Sequence, residues 1–191
     1  MTTIIRTARL ELRPLQTGDT ERVFALFSDP DVLRWMTAPP SPYTYADAHG
    51  FVHEKAAQAH DLRRTAYAIT RDGDLIGAID IHDRIDTPDG APVLGYWIGK
   101  PCWGNGYVTE AARGFLAHVF AAGVGDTIRS GAFAGNVASL RVQEKLGFTR
   151  AGERMMFSKP QNAMLPFVEM VVRREGFEMT LQSSSPNLLR E

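Results

Sequence analysis

The chain has 191 residues, with 21 Lys and Arg against 22 Asp and Glu, a formal charge of −1. That balance, without any Lys/Arg run, offers no electrostatic footprint for nucleic acid or an anionic membrane surface. No signal peptide or bilayer-spanning apolar stretch is read, and the lone cysteine, Cys102, excludes an internal disulfide and fits a reducing, cytoplasmic setting.

Length predicts a single domain, assigned to residues 1–178, large enough to bury a core. Residues 179–191 are assigned as a flexible tail, with disorder centred on Gln182 to Glu191 and its Ser183-Ser-Ser-Pro186. No internal repeat is found.

Ala8 to Leu15 alternates Ala8, Leu10, Leu12 against Arg9, Glu11, Arg13, a half-buried strand ending near Pro14. Thr17 can cap a helix whose apolar face is Val23, Phe24, Leu26 and Phe27. A short helix is expected from Asp29 to Met36, a proline-rich loop from Thr37 to Thr44, and a helix from Tyr45 to Ala59. Arg64 to Thr70 and Asp74 to His82 read as strands joined by the tight turn Arg71-Asp72-Gly73. After a polar loop over Arg84 to Ala91, Val93 to Ile98 is a short apolar run suited to a buried strand.

Gly99 to Gly106 is turn-rich, and from Tyr107 the period becomes helical. Val108, Ala111, Ala112, Phe115, Leu116, Val119 and Phe120 share one face, and Gly123 stands where a C-terminal cap belongs. A strand over Thr127 to Ala134 and a helix opened by Asn136 and closed by Gly147 follow. Phe148 to Phe157 is a strand, Ser158 to Pro166 a loop, and Phe167 to Arg174 the last strand. The order β-α-α-α-β-β-β-α-β-α-β-β predicts an α+β fold, a mixed and mostly antiparallel sheet with helices on both faces.

The strand, glycine loop and helix start around Trp103-Gly104-Asn105-Gly106-Tyr107 would present free backbone N–H groups and a helix dipole to an anion. The dinucleotide pattern fails, because Thr109 stands where its third glycine should be, and no Gly-Lys-Ser/Thr completes a Walker loop. Alone, the loop reads equally as a glycine turn into a core helix. The second informative stretch is Asn136-Val-Ala-Ser139, continuing to Glu144-Lys145-Leu146-Gly147-Phe148.

Together, in this order and spacing, the two stretches resemble the GNAT superfamily of acyl-CoA-dependent N-acetyltransferases. The closer likeness is to its branch of ribosomal-protein-alanine (N-terminal) acetyltransferases, over roughly residues 8–175. The family's pyrophosphate motif, Gln/Arg-x-x-Gly-x-Gly/Ala, falls on Trp103 to Val108 with Gly106 central. Trp103 and Val108 depart from it at the first and last positions. The branch's Asn-x-x-Ser…Glu-Lys-Leu-Gly-Phe pattern is matched without a break.

The resemblance implies an acetyl-CoA site formed by Ile98, Lys100, Trp103, Gly104, Asn105, Gly106, Tyr107, Val108, Thr109, Asn136 and Ser139. It implies that the Ile98 N–H holds the thioester oxygen, that the Ser139 hydroxyl meets the CoA sulfur, and that Asn136 bonds the pantetheine amides. Read from the residues alone, Ser139 shares a capping role with Asn136. No base is placed by a motif; Asp80, His82, Glu153 and Glu169 each read more simply as surface or structural charges.

Other constellations have plain readings. His49, His53 and His60 share a helix face but lack HExxH and a completing ligand, so no metal is expected. Cys102 has no His or Asn tied to it and reads as a structural thiol. Met155, Met156 and Met164 read first as core and strand packing and second as an acceptor-site lining.

The expected function is transfer of acetyl from acetyl-CoA to a primary amine by direct attack, with an α-amine of a protein N-terminus or small molecule favoured. The alternative is a non-catalytic acyl-CoA sensor or regulatory module; a nucleotide-binding structural domain is a weaker third. No nucleic-acid or membrane partner is expected, and homodimerisation is left open.

Overall fold

In a computed structural model, residues 3–83 and 87–183 are described. The elements are β1 (Ile5–Arg6), β2 (Glu11–Pro14), α1 (Thr20–Phe27), α2 (Pro30–Leu33), α3 (Tyr45–Ala57), β3 (Ala66–Arg71), β4 (Asp74–His82), β5 (Val93–Ile98), α4 (Tyr107–Ala121), β6 (Thr127–Phe133), α5 (Val137–Lys145), β7 (Thr149–Ser158), β8 (Ala163–Arg173) and α6 (Arg174–Ser183). The strands form an eight-stranded sheet in the order β1-β2-β3-β4-β5-β6-β8-β7, in which only β5 and β6 run parallel. This is the mixed, mostly antiparallel α+β architecture expected.

Alternation along the strands divides the core between the two faces of the sheet. On β3, Tyr67 and Ile69 join α4, α5 and α6 around Phe115, Leu116, Leu140 and Phe177. Ala66 and Ala68 join α1, α2 and α3 around Val23, Phe27, Val32 and Val52. Burying one large apolar side chain contributes roughly 1.5–3 kcal/mol, so both helix layers are bound chiefly by these contacts. The β3–β4 turn uses positive φ at Asp72 and Gly73, as the Asp-Gly pair requires.

The structure corrects the sequence reading in several places. Residues 7–10 form a turn, with the Thr7 N–H donating to the Leu10 carbonyl, so the first strand is split into β1 and β2. A 3-10 turn over Thr17–Asp19 precedes α1 and is capped from Gln16, not Thr17.

The expected Ser158–Pro166 loop is mostly β-hairpin: β7 runs to Ser158, Asn162 turns at positive φ, and β8 begins at Ala163. Pro166 is tolerated there because β6 has ended one residue earlier, at the Phe133–Phe167 pair. Its carbonyl, on the side facing β6, accepts the Ala134 N–H.

Arg174, expected to end the last strand, and residues 179–183, assigned to the tail, fall with residues 175–178 in α6. Phe177 is buried and its ring lies 5.4 Å from that of Phe120. The rest of the expected tail, residues 184–191, lies outside the described residues. Among the described residues no helix is long and apolar enough to cross a membrane.

Candidate active site

The sheet opens where its two halves meet. Strands β5 and β6 share one parallel pair, Val93 with Arg129, and then diverge. The Gly99 N–H donates to the Ile76 carbonyl on β4. Backbone groups of an antiparallel strand alternate between its two sides, so Leu94, Tyr96 and Ile98 direct theirs toward β6. The Leu94 carbonyl accepts from Ser130 Oγ at 3.0 Å and the Ile98 carbonyl from Trp103 Nε1 at 2.9 Å. The N–H groups of Tyr96 and Ile98 point into the gap. A cavity of about 600 Å³ passes through it and reaches both faces of the sheet.

At one end of the cavity lies the glycine loop. Gly104 and Gly106 both have positive φ, 77° and 76°, which explains why glycine stands at each. A side chain at Gly104 would meet only open space; at Gly106 it would approach Arg9 Nη2 at 3.7 Å. The Glu110 N–H donates to the Gly106 carbonyl, which starts α4. Among the described residues the N–H groups of 104–109 donate to nothing in the chain. The Asn105 side chain folds back, donating to the carbonyls of Cys102 and Trp103 at 3.2 and 2.9 Å. The residues present therefore fit an anionic group held by backbone donors at a helix start.

A network from the chain's beginning fixes this loop, and sequence reasoning missed it. Glu110, in the first turn of α4, accepts from Thr7 Oγ1, the Arg9 N–H and Arg9 Nε, each at 2.7 Å. Arg9 Nη2 donates to the Asn105 carbonyl at 3.1 Å, and its guanidinium lies 4.6 Å over the Tyr107 ring. Burial pushes the Glu110 carboxyl up, but the hydrogen bonds from Thr7 and Arg9 outweigh it and hold it below its usual value.

At the α5 end, Asn136 is the N-cap and its Oδ1 accepts the Ser139 N–H at 3.2 Å. The Ser139 hydroxyl takes no part in the cap. Its Oγ is 2.8 Å from the Tyr96 hydroxyl and 3.2 Å from Gln143 Nε2. Gln143, fully buried one turn beyond Ser139, also reaches the Gly131 carbonyl at 3.3 Å. Burial raises the Tyr96 pKa against the opposing effect of its Ser139 and Gln143 hydrogen bonds, so this phenol is protonated at neutral pH. Gln143 stands at i+4 from Ser139, a helical spacing that could have shown it.

On the opposite face the cavity is lined by Trp35, Met36, Thr37, His82, Arg154, Phe167 and Glu169. The β7–β8 turn is tied over this side: the Lys159 N–H donates to the Thr37 carbonyl at 2.9 Å and Gln161 Nε2 to the Arg34 carbonyl at 2.8 Å. Arg154 pairs with Glu169 at 3.0 Å, and Arg129 with Asp89 at 2.8 Å. The Arg129 hydrogen bond holds the Asp89 carboxyl below its usual value. His82 Nδ1 lies 3.4 Å from Asp80 Oδ1, and the carboxylate sits where a side chain on Gly95 would be.

Of the residues named from the sequence, Ile98, Trp103, Gly104, Gly106, Tyr107, Val108, Thr109, Asn136 and Ser139 line this one cavity. Lys100 does not; its ammonium is drawn to Asp31 at 2.6 Å, which raises its pKa. Nor does Asn105, whose side chain is folded back onto the loop carbonyls. Cys102 is half-buried against the core beside α4. Met155 and Met164 are exposed on the hairpin and Met156 is half-buried there; none of the three joins the core or lines the cavity, whereas Met36 does line it. His49 and His53 stack at 3.8 Å on α3; among the described residues no group of three potential ligands is placed to hold a metal.

The comparisons with known proteins agree with this geometry. A family model described as the acetyltransferase (GNAT) domain matches residues 9–149. The N-acetyltransferase YoaA of Bacillus subtilis (strain 168) is 30% identical over 151 residues, 78% of this chain and 84% of that protein. Mycobacterium smegmatis RimJ in complex with CoA-disulfide superposes with a TM-score of 0.78 at 18% identity, covering 95% of each chain. RimL, a ribosomal L7/L12 alpha-N-protein acetyltransferase solved with coenzyme A, gives 0.78 at 16% identity, covering 91% of this chain and 99% of that one. The chain belongs to the GNAT acetyltransferase family and is an acyl-CoA-dependent N-acetyltransferase.

Proposed function

We propose that the chain acetylates α-amines, at peptide N-termini or on small molecules, by direct attack on acetyl-CoA. The observation that carries this reading is the run of unpaired backbone donors along one wall of the cavity. It leads from residues 104–109, through the Ile98 and Tyr96 N–H groups, toward Ser139. In this reading the loop N–H groups hold the pyrophosphate, and Asn136, its Oδ1 engaged in the cap, offers its amide nitrogen to pantetheine. The co-substrate supplies an activated acyl thioester. Anchoring the remote phosphates orients that thioester.

The Ile98 N–H, with the Tyr96 N–H beside it on the same strand edge, stabilises charge on the thioester oxygen. The amine, as free base, forms the new C–N bond while the C–S bond breaks; the nitrogen gives up its extra proton to solvent, and the sulfur departs as a thiolate beside the Ser139 hydroxyl, to take a proton from solvent. Serine is a poor Brønsted acid, so a hydrogen bond to the thiolate is its role. The opposite face, with Trp35, Met36 and Phe167, receives the acceptor.

The α-amine preference rests on proton supply. An α-amine has a pKa of about 7.7–8.0 and a lysine ammonium about 10.4, so at neutral pH on the order of a tenth of the α-amine is already free base. RimL, whose fold this chain shares, acts on an α-amine by its own description. The test compares a peptide with a free N-terminus against the same peptide blocked there but carrying a lysine. Faster acetylation of the free N-terminus at pH 7 is expected, with kcat/KM rising along the substrate's own titration. Faster acetylation of the blocked lysine peptide would overturn the preference and direct mutagenesis to His82, Asp80 and Glu169.

A further inference from the structure

The Ser139 hydroxyl has one hydrogen and two polar neighbours, of which only the Tyr96 hydroxyl can accept it. Its Oγ is 2.8 Å from the Tyr96 hydroxyl and 3.2 Å from Gln143 Nε2; the Tyr96 hydroxyl is also 3.2 Å from the Ser139 carbonyl and 3.3 Å from Gln143 Nε2. The Gly131 carbonyl, which can only accept, fixes which end of the Gln143 amide faces this cluster: it must be the nitrogen. One amide hydrogen serves Gly131 and the other is directed at the two hydroxyls. That orientation leaves Gln143 Oε1 buried without a hydrogen-bond partner among the described residues, a cost that the donor arrangement offsets.

With Gln143 donating, two hydrogen patterns remain. Tyr96 donates to the Ser139 carbonyl and receives the Ser139 hydrogen, or Tyr96 donates to Ser139 Oγ and the Ser139 hydrogen is released into the cavity. A thiolate in the cavity selects the second, because only that pattern gives the negative sulfur a donor. It also places the Tyr96 hydrogen in the shorter, 2.8 Å contact. Donation into Ser139 Oγ from two sides polarises its O–H bond and strengthens the bond it makes onward.

We propose that Tyr96 and Gln143 are positioning residues that hold the Ser139 hydroxyl as a hydrogen-bond donor toward the departing CoA thiolate. This rests on the reading of Ser139 as the group beside the sulfur. Tyr96 and Gln143 act only through Ser139, so their removal has no effect once that hydroxyl is gone.

The test uses Tyr96→Phe, which keeps the ring, with Gln143→Met as a second variant and Ser139→Ala as the reference. Tyr96→Phe should lower kcat roughly tenfold, with KM for acetyl-CoA within about twofold. The Tyr96→Phe/Ser139→Ala double variant should be no slower than Ser139→Ala alone. A readout that a structural role would not move is the affinity for CoA relative to desulfo-CoA, measured calorimetrically against pH. In the native protein CoA should gain over desulfo-CoA as pH rises toward the thiol's titration, and Tyr96→Phe should flatten that gain.

The charged groups around the cavity, Arg141 and Lys145 on α5 and His82, Arg129, Arg154 and Glu169 across it, are unchanged by Tyr96→Phe and cancel in the comparison. Equal loss from Tyr96→Phe with and without the Ser139 hydroxyl, or an unflattened CoA gain, would overturn the proposal. Full kcat in Ser139→Ala, with no CoA gain in the native protein, would show that the reading of Ser139 had failed, and the proposal with it.

Discussion

The two ends of the cavity are made of different material. The glycine-loop end is built from contiguous backbone, residues 104–109, whose N–H groups are free because a helix starts there and glycines remove bulk. The opposite end, proposed to receive the acceptor, is built from side chains: Trp35 and Met36 beyond α2, His82 on β4, and Phe167 and Glu169 on β8. Backbone donors suit a group common to every turnover, while side chains can be exchanged without disturbing the fold. In the proposed reading, the activated-donor half of the chemistry rests on contiguous backbone, steadied from Thr7 and Arg9, and the acceptor half on side chains gathered from distant elements.

The sharpest way to break this comparison is at Gly106. Gly106→Asp places bulk and a negative charge where an anionic group would meet the free N–H groups, in a backbone conformation that already favours glycine. Acetyl-CoA affinity should fall by roughly a hundredfold or more, with the far-UV spectrum retained. Unchanged affinity by calorimetry in the folded variant would remove the pyrophosphate from this loop. Ser139→Ala is next in size: kcat should fall roughly ten- to a hundredfold with acetyl-CoA affinity little changed. Equal losses in both would return Ser139 to a purely structural role, which its hydroxyl's absence from the Asn136 cap already argues against.

How much of each half was legible follows from the same difference. Strands β4 and β5 and the start of α4 fall where alternation, the Asp-Gly turn and the glycine loop place them, because each signal is local. The β7–β8 hairpin was obscured by Pro166, whose lack of an N–H matters only if a neighbouring strand is present on that side; β6 stops short of it. Helix α6 was hidden by Gly176 and polar residues, and it is held by tertiary burial of Phe177. Asn136 was visible as a helix start, whereas Ser139 read from the residues only as part of that cap and entered the site through the family resemblance. Tyr96 read only as strand backbone, since nothing in its neighbourhood tells that its hydroxyl meets a residue 43 positions away. Lys100 was assigned to the site through the family resemblance, but its ammonium pairs with Asp31, a residue 69 positions distant, and it does not line the cavity.

The acceptor half is sharpened by Trp35→Ala. The ring lines the cavity opposite the glycine loop, where a side chain at Gly135 would meet it at 3.5 Å. Its loss should raise the acceptor KM roughly tenfold, the scale of one lost apolar contact surface, with acetyl-CoA affinity unchanged. A matching loss of acetyl-CoA affinity would show that the two ends are not separable.

The smallest effect tests what holds the glycine loop in place. The Glu110 carboxylate joins α4 to Thr7 and Arg9, and Arg9 in turn bonds the Asn105 carbonyl. Glu110 is largely buried beside its partner Arg9, at 17% side-chain exposure. Despite burial, which works in the other direction, the Thr7 and Arg9 hydrogen bonds hold its carboxyl below the value of 4.5 expected for a free glutamate. A carboxyl whose folded pKa is depressed contributes stability that is fully present above the unfolded pKa and is lost as pH falls through the folded one. Glu110→Gln should therefore cost on the order of 1 kcal/mol at pH 7. The gap between the native protein and the variant should close as pH falls below the free value of 4.5 and through the lower folded one. Urea midpoints for both proteins at pH 7 and in that acid window measure it. The same variant should raise KM for acetyl-CoA by a few-fold, because the Asn105 carbonyl loses a partner that is itself held by Glu110. A stability gap that persists unchanged in acid would mean that the Glu110 charge is not what ties the chain's first turn to the helix start.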